Sequence, residues 1–260
     1  MRYLNSIVLR LRNIIIHDRF SWINKDRAIH LDLLNYLQEK FPATEQLVEI
    51  GNYALTNKIL DTLNKNSIVI SGGVEFHIDF EDALSDLKEP QIHFFEVDPR
   101  SFEWFKENYS NKENYKLHEV GLADCESEFP VYGSPNKAWS SAIDSNLIES
   151  STLNYEVIGT AKTTTIPIFC KNHNIETIDL LKLDIEGFAL KTIRACWKDS
   201  IFPKNILFEI ERGDTQSSAS YFDEVFSILS EAKAFGYEVI FVPRTDGYTS
   251  QASQFIFTKN

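Results

Sequence analysis

The chain has 260 residues, 43% of them hydrophobic, enough for one α/β domain with a buried core plus a small accessory segment. Its formal net charge of −12 argues against a nucleic-acid backbone as the main partner, because phosphate binding needs clustered Lys and Arg. Cys125, Cys170 and Cys196 lie far apart and outside any CxxC spacing, so they read as reduced thiols rather than a disulfide framework or a zinc site.

Residues 1–27 carry six Lys or Arg against Asp18 and Asp26, opposite in sign to the rest of the chain. Ile7, Val8, Leu11, Ile14 and Ile15 follow helical spacing, which suits a helix packed on its own domain or one resting weakly on a membrane surface or partner; packing on its own domain is the expectation. Arg10 and Arg12 interrupt the short apolar stretch, so no signal peptide is expected. No apolar run reaches the ~18 residues of a membrane span, and a cytoplasmic protein is expected. A second helix is predicted over Lys25 to Phe41, with Ala28, Leu31, Leu34 and Leu37 on one face and Pro42 past its end. Together these helices suggest an N-terminal cap over 1–64, followed by the main domain over 65–260.

From Ser67 the pattern becomes strands alternating with helices, the signature of a parallel sheet. Ser67 to Ile70 reads as a strand, the region near Phe80 to Leu87 as a helix, Gln91 to Phe95 as a strand, Ser101 to Tyr109 as a helix and Lys116 to Val120 as a strand. Phe129 to Tyr132 and Thr164 to Phe169 are predicted as extra strands around a polar insertion, Gly133 to Lys162. Leu180 to Leu183, a helix over Leu190 to Trp197 and Asn205 to Phe208 resume the sheet. A helix over Ser218 to Phe235 should bury Phe222, Val225, Phe226 and Leu229 and stop at Gly236. Tyr237 to Val242 and Gln254 to Thr258 flank Asp246-Gly247, the pattern of a closing antiparallel hairpin.

Several predicted strands end in acids or glycines. In an open α/β sheet ligands sit outside the carboxyl ends of the strands, so these ends define one candidate site. The first strand runs into Ser71-Gly72-Gly73, a turn that lets a ligand approach the backbone. The second is followed by Glu96 and Asp98, the fourth by Asp184 and Glu186, the fifth by Glu209. Glu96 lies 23 residues after Gly73, near the ~20-residue spacing of an acid that binds ribose hydroxyls, with Asp98 a competitor better read as a turn residue.

A seven-stranded, mostly parallel sheet with a hairpin at its end, glycine after the first strand, an acid after the second and Ala123-Asp124 after the third resembles a Rossmann-like class I S-adenosylmethionine-dependent methyltransferase. More narrowly, Ile178-Asp179-Leu180-Leu181-Lys182-Leu183-Asp184-Ile185-Glu186-Gly187, with Phe95-Glu96 and Leu207-Phe208-Glu209, resembles the FkbM-type methyltransferases over roughly residues 65–212. The resemblance implies O-methylation of a sugar, nucleotide-activated or in a polysaccharide precursor, or of a related small molecule. It places the cofactor on Ser71, Gly72, Gly73, Glu96 and Asp124, the last near the adenine. Asp184 is the first choice for the base or acceptor-orienting group, Glu209 the second, while Glu186 could instead cap the following helix. The acids could also hold a divalent cation, but three ligands at defensible spacing are missing and metal dependence is not favoured. Trp139, Ser140 and Ser141 are candidates for the acceptor side.

Two departures stand out: Glu75 replaces the usual second glycine of the first motif, and Ala189 replaces an acid that often follows the Glu-Gly pair. They keep open a non-catalytic binding or assembly module with the same fold. No motif specifies the methylated position or the oligomeric state.

Overall fold

The computed structural model describes residues 19–134, 137–142, 156–185, 187–211, 218–242 and 252–259. In chain order the elements are α1 (Arg19–Lys40), β1 (Leu47–Ile50), β2 (Tyr53–Thr56), α2 (Asn57–Thr62), β3 (Ile68–Gly72), α3 (Asp79–Lys88), β4 (Gln91–Phe95), α4 (Pro99–Tyr109) and β5 (Tyr115–His118). They continue as β6 (Gly121–Leu122), β7 (Ser127–Ser134), β8 (Lys137–Ala142), β9 (Glu156–Thr164), α5 (Ile166–His173), β10 (Leu180–Leu183), α6 (Ala189–Lys198), β11 (Asn205–Glu211), α7 (Ser218–Ala234), β12 (Glu238–Val242) and β13 (Ala252–Thr258).

Seven of these strands form one sheet in the order β12-β13-β11-β10-β3-β4-β5. The five from β11 to β5 run parallel, and β13 pairs antiparallel with both β11 and β12, so the sheet ends in the expected hairpin. Alternation along each strand feeds two cores. Ile70, Phe95, Leu181, Leu183, Ile206 and Phe208 pack on the face covered by α5, α6 and α7. Val69, Phe94, Leu180 and Leu207 pack on the other, with Phe80 and Leu84 of α3 and Phe105 of α4.

Two expectations change and one element is new. Thr164 to Phe169 is not a strand: β9 stops at Thr164, and Thr165 caps a helix by accepting from the backbone N–H of Ile168 at 3.2 Å, with Pro167 in its first turn. In α1, Leu37 is buried and Leu34 packs on the core as expected, whereas Leu31 is 45% exposed, Ala28 is exposed, and His30 and Leu33 take the inward places. His30 meets α7, packing on the rings of Tyr221 and Phe222. Finally, residues 47–56 form the β1–β2 hairpin, which no expectation anticipated, with Gly51-Asn52 as its two-residue loop. The stripe from Ile7 to Ile15 and the turn at Asp246-Gly247 lie outside the described residues.

The polar insertion contributes to a second sheet of four strands, β6-β9-β7-β8. No helix among the described residues is long and apolar enough to cross a membrane.

Candidate active site

At the end of β3 the backbone N–H of Gly73 donates to the carbonyl of Phe95 on β4 at 2.9 Å, and Asp184 N–H donates to the carbonyl of Gly72 at 3.0 Å. Gly73 has φ +87°, and a Cβ there would lie 2.0 Å from the Asp184 carbonyl oxygen, so the turn closes against β10 only with glycine. Glu75, where the family motif carries glycine, keeps a left-handed backbone at φ +49°. The turn therefore retains glycine-like geometry despite the substitution.

Glu96 is buried and its carboxylate accepts four backbone N–H groups. Oε2 takes Val74 and Glu75, each at 2.9 Å, and Oε1 takes Val97 at 2.6 Å and Asp98 at 2.8 Å. Burial pushes its carboxyl above the usual range, while the four amides pull the other way. A carboxylate offers about four lone-pair positions. All are engaged, so a ribose hydroxyl would have to share one with an amide. Asp98, also buried, caps α4 through the N–H of Arg100 at 2.8 Å and holds the Arg100 guanidinium on both oxygens. It is a cap and ion-pair partner, more than a turn residue.

A polar cluster gathers around the end of β10. Lys182 and Ser71 are register partners on neighbouring strands. Both meet Glu81 of α3: Ser71 Oγ donates to Glu81 Oε1, and Lys182 Nζ lies 3.5 Å from the same oxygen. Lys182 Nζ is also 3.7 Å from Asp184 Oδ2 and 5.1 Å from the centroid of the Tyr53 ring. Tyr53 Oη, from the β1–β2 hairpin, donates to Asp184 Oδ2 at 2.6 Å. One strand over, Gln254 Nε2 donates to Glu209 Oε1 at 2.6 Å. Burial alone would lower Lys182, but Glu81, Asp184, Glu209 and Glu75 outweigh it and hold the ammonium above the ordinary lysine range. Burial first, then the charge of Asp184, pushes the Tyr53 phenol well above its usual value.

The structure thus brings Asp184 and Glu209 into one electrostatic neighbourhood and gathers Gly72, Gly73 and Glu96 at the adjacent strand ends. Ser71 points its hydroxyl at Glu81 instead of outward. Asp124 is exposed just past β6. Glu186 and the side chains of Trp139, Ser140 and Ser141 lie outside the described residues. Among the described residues no group of three or more His, Cys, Asp or Glu could hold a metal ion. Lys182, Glu81 and Tyr53 were not anticipated. Lys182 had a signal, a lysine between leucines in a strand that should be buried on both faces.

The sequence profile described as the methyltransferase FkbM domain matches residues 74–239. The chain belongs to the FkbM methyltransferase family. Members are S-adenosylmethionine-dependent methyltransferases, and the mostly parallel seven-stranded sheet with its helices matches that description. Among curated proteins no relative matches. Solved structures similar in fold include an rRNA methylase from Streptococcus thermophilus (12% identity, covering 77% of this chain and 91% of that one, TM-score 0.44). Another is the Aeropyrum pernix fibrillarin in complex with natively bound S-adenosyl-L-methionine (13%, 75% and 67%, TM-score 0.44). A third is the precorrin-6y C5,15-methyltransferase from Geobacter metallireducens GS-15 (11%, 86% and 96%, TM-score 0.43). In this FkbM methyltransferase the turn at Gly73 and Glu75, both with left-handed backbone, lies beside the buried carboxylate of Glu96, whose oxygens already accept four backbone N–H groups.

Proposed function

We propose that this FkbM methyltransferase moves a methyl group from S-adenosylmethionine to a hydroxyl oxygen of a sugar, nucleotide-activated or in a polysaccharide precursor, or of a related small molecule. In this reading residues 1–64 form a cap on a methyltransferase domain over 65–260. The turn from Ser71 to Glu75 and Glu96 hold the cofactor, with Asp124 on the adenine side. The cofactor, when bound, supplies an electrophilic methyl on a sulfonium. The protein's share is to orient the acceptor hydroxyl and take its proton.

The observation that carries the reading is Asp184 at the carboxyl end of a central strand, its side chain 31% exposed while Lys182 beside it is buried. A carboxylate so placed accepts or orients the hydroxyl proton, and Glu209 on the next strand is its nearest substitute. The acceptor class is supported by the net charge of −12, which repels nucleic acid.

The test uses methyl-tritiated S-adenosylmethionine with a panel of nucleotide-activated hexoses. Label should enter the sugar, and Asp184→Asn should lower turnover by ~10² to 10⁴ while calorimetry gives parental cofactor affinity. Label entering only protein or RNA would overturn the acceptor assignment. A parent that binds no cofactor would favour the second reading, a non-catalytic module, to which the side chain of Glu75 in glycine's place points.

A further inference from the structure

We propose that Tyr53 and Lys182 are positioning residues for Asp184: both engage Oδ2, leaving the carboxylate's other oxygen to face the acceptor. The inference rests on the reading of Asp184 as the group that takes or orients the acceptor proton.

The geometry is a chain of support that runs from the core to the acid. Ser71 holds Glu81, Glu81 holds Lys182, and Lys182 stands 3.7 Å from Asp184 Oδ2. Tyr53 donates to the same oxygen at 2.6 Å. Tyr53 is itself fixed: it is 4% exposed, its ring meets the edge of Phe80 at a centroid distance of 5.5 Å and 71°, and the Lys182 ammonium lies over it. The backbone of Asp184 is pinned by its N–H to Gly72 and by contact with Gly73. Among the described residues no donor engages Oδ1. A carboxylate that works on a substrate proton needs one oxygen oriented and the other available, the logic by which a base is held by a third group.

An unusual feature is the origin of Tyr53. It comes from the β1–β2 hairpin, 131 residues before Asp184, so the segment ahead of the sheet completes the acid's surroundings. That hairpin is more than a cover for the apolar face of α3.

Tyr53→Phe removes the hydroxyl and keeps the ring against Phe80. Glu81→Gln with Lys182→Met removes the second arm as a neutralised pair, so no lone buried charge is left. In the labelled-methyl assay on the nucleotide-activated hexose panel, Tyr53→Phe should lower kcat ~10- to 100-fold with cofactor affinity and acceptor KM within about twofold of the parent. In an Asp184→Asn background the same substitution should change kcat by less than about twofold, because there is no carboxylate left to position. A role confined to stability predicts equal fold-losses in both backgrounds, and that result overturns the proposal. So does parental turnover in Tyr53→Phe and in the double variant when Asp184→Asn is inactive, which sinks the positioning role and spares Asp184. If the parent labels no sugar, or Asp184→Asn keeps full turnover, the functional reading itself fails and takes the inference with it.

Discussion

Glu96 shows how one side chain can serve both fold and site. Its four amide partners come from two segments, Val74 and Glu75 after β3 and Val97 and Asp98 after β4, so the carboxylate ties the turn proposed to hold the cofactor to the neighbouring strand end. Glu96→Gln is nearly isosteric, yet its NH₂ group can accept none of the two N–H donors it would face. Each buried donor left without a partner costs about 1–3 kcal/mol. For the two donors together, about 2–6 kcal/mol, at roughly 2 °C per kcal/mol for a domain of this size, that is a fall in Tm of roughly 4–12 °C. Scanning calorimetry should show it, and titration with S-adenosylhomocysteine should show affinity at least about tenfold weaker. Unchanged melting would mean that the four bonds contribute nothing, and unchanged affinity that Glu96 and its turn lie away from the cofactor. The 23-residue spacing from Gly73 pointed to this acid, whereas its amide partners were invisible in the sequence because each depends on the chain's path after a strand ends.

At the level of elements, the β3 turn and the end of α7 offer a controlled comparison. Gly73 and Gly236 both have positive φ, +87° and +83°, but an added Cβ at Gly73 would strike the Asp184 carbonyl at 2.0 Å while one at Gly236 would meet nothing within 4 Å. Gly236→Ala should therefore cost only the left-handed backbone term, about 1–2 kcal/mol. Gly73→Ala carries that term plus the clash, on the order of 1–3 kcal/mol more, and displaces the start of the Asp184 loop. Denaturant midpoints for the two variants, with cofactor titrations, check this; equal losses would show that the β3 turn yields easily. The parallel strands and the helices between them were legible because each has its own period and its own cap or stop. Ile166–His173 was misread because Ile166, Ile168 and Phe169 are as apolar as a strand, and the decisive signals were Thr165 as cap and Pro167 in the first turn. The β1–β2 hairpin left a trace too, Gly51-Asn52 between two short apolar runs. What no local pattern could supply was the meeting of Tyr53 with Asp184, which exists only once the sheet is assembled.

For the molecule as a whole, we predict an acid sensitivity that originates in a stacked histidine pair on β4 and β5. His93 of β4 and His118 of β5 stack at 5.2 Å and 7°, with Nδ1 of the first 3.0 Å from Nε2 of the second, beside the rings of Phe95 and Phe169 and within 6.3 Å of His173. Burial pushes both His93 and His118 down to about 4, with neighbouring positive charge, including Lys116, adding to the effect. His93 and His173 also line a crevice of about 620 Å³ that opens near the start of β3 and β10, so solvent protons have a path to the pair. One hydrogen-bond contact at 3.0 Å links the rings of His93 and His118. Their folded pKa values lie below the unfolded value near 6.5, so between about pH 6.5 and 4 the unfolded chain binds more protons than the folded one, and stability falls as pH falls through that window. The net charge of −12 works the other way, because protonating surface carboxylates over the same range relieves self-repulsion. The two effects are separated by comparing the parent with a His93→Gln/His118→Gln variant, which leaves the surface acids in place. Thermal melts from pH 7.5 to 4.5 should show the parent losing stability more steeply below pH 6.5 than the variant, with parallel behaviour above it. Curves that stay parallel down to pH 4.5 would mean that the histidines take up protons in the folded state as easily as in the unfolded one, and that burial does not hold them neutral.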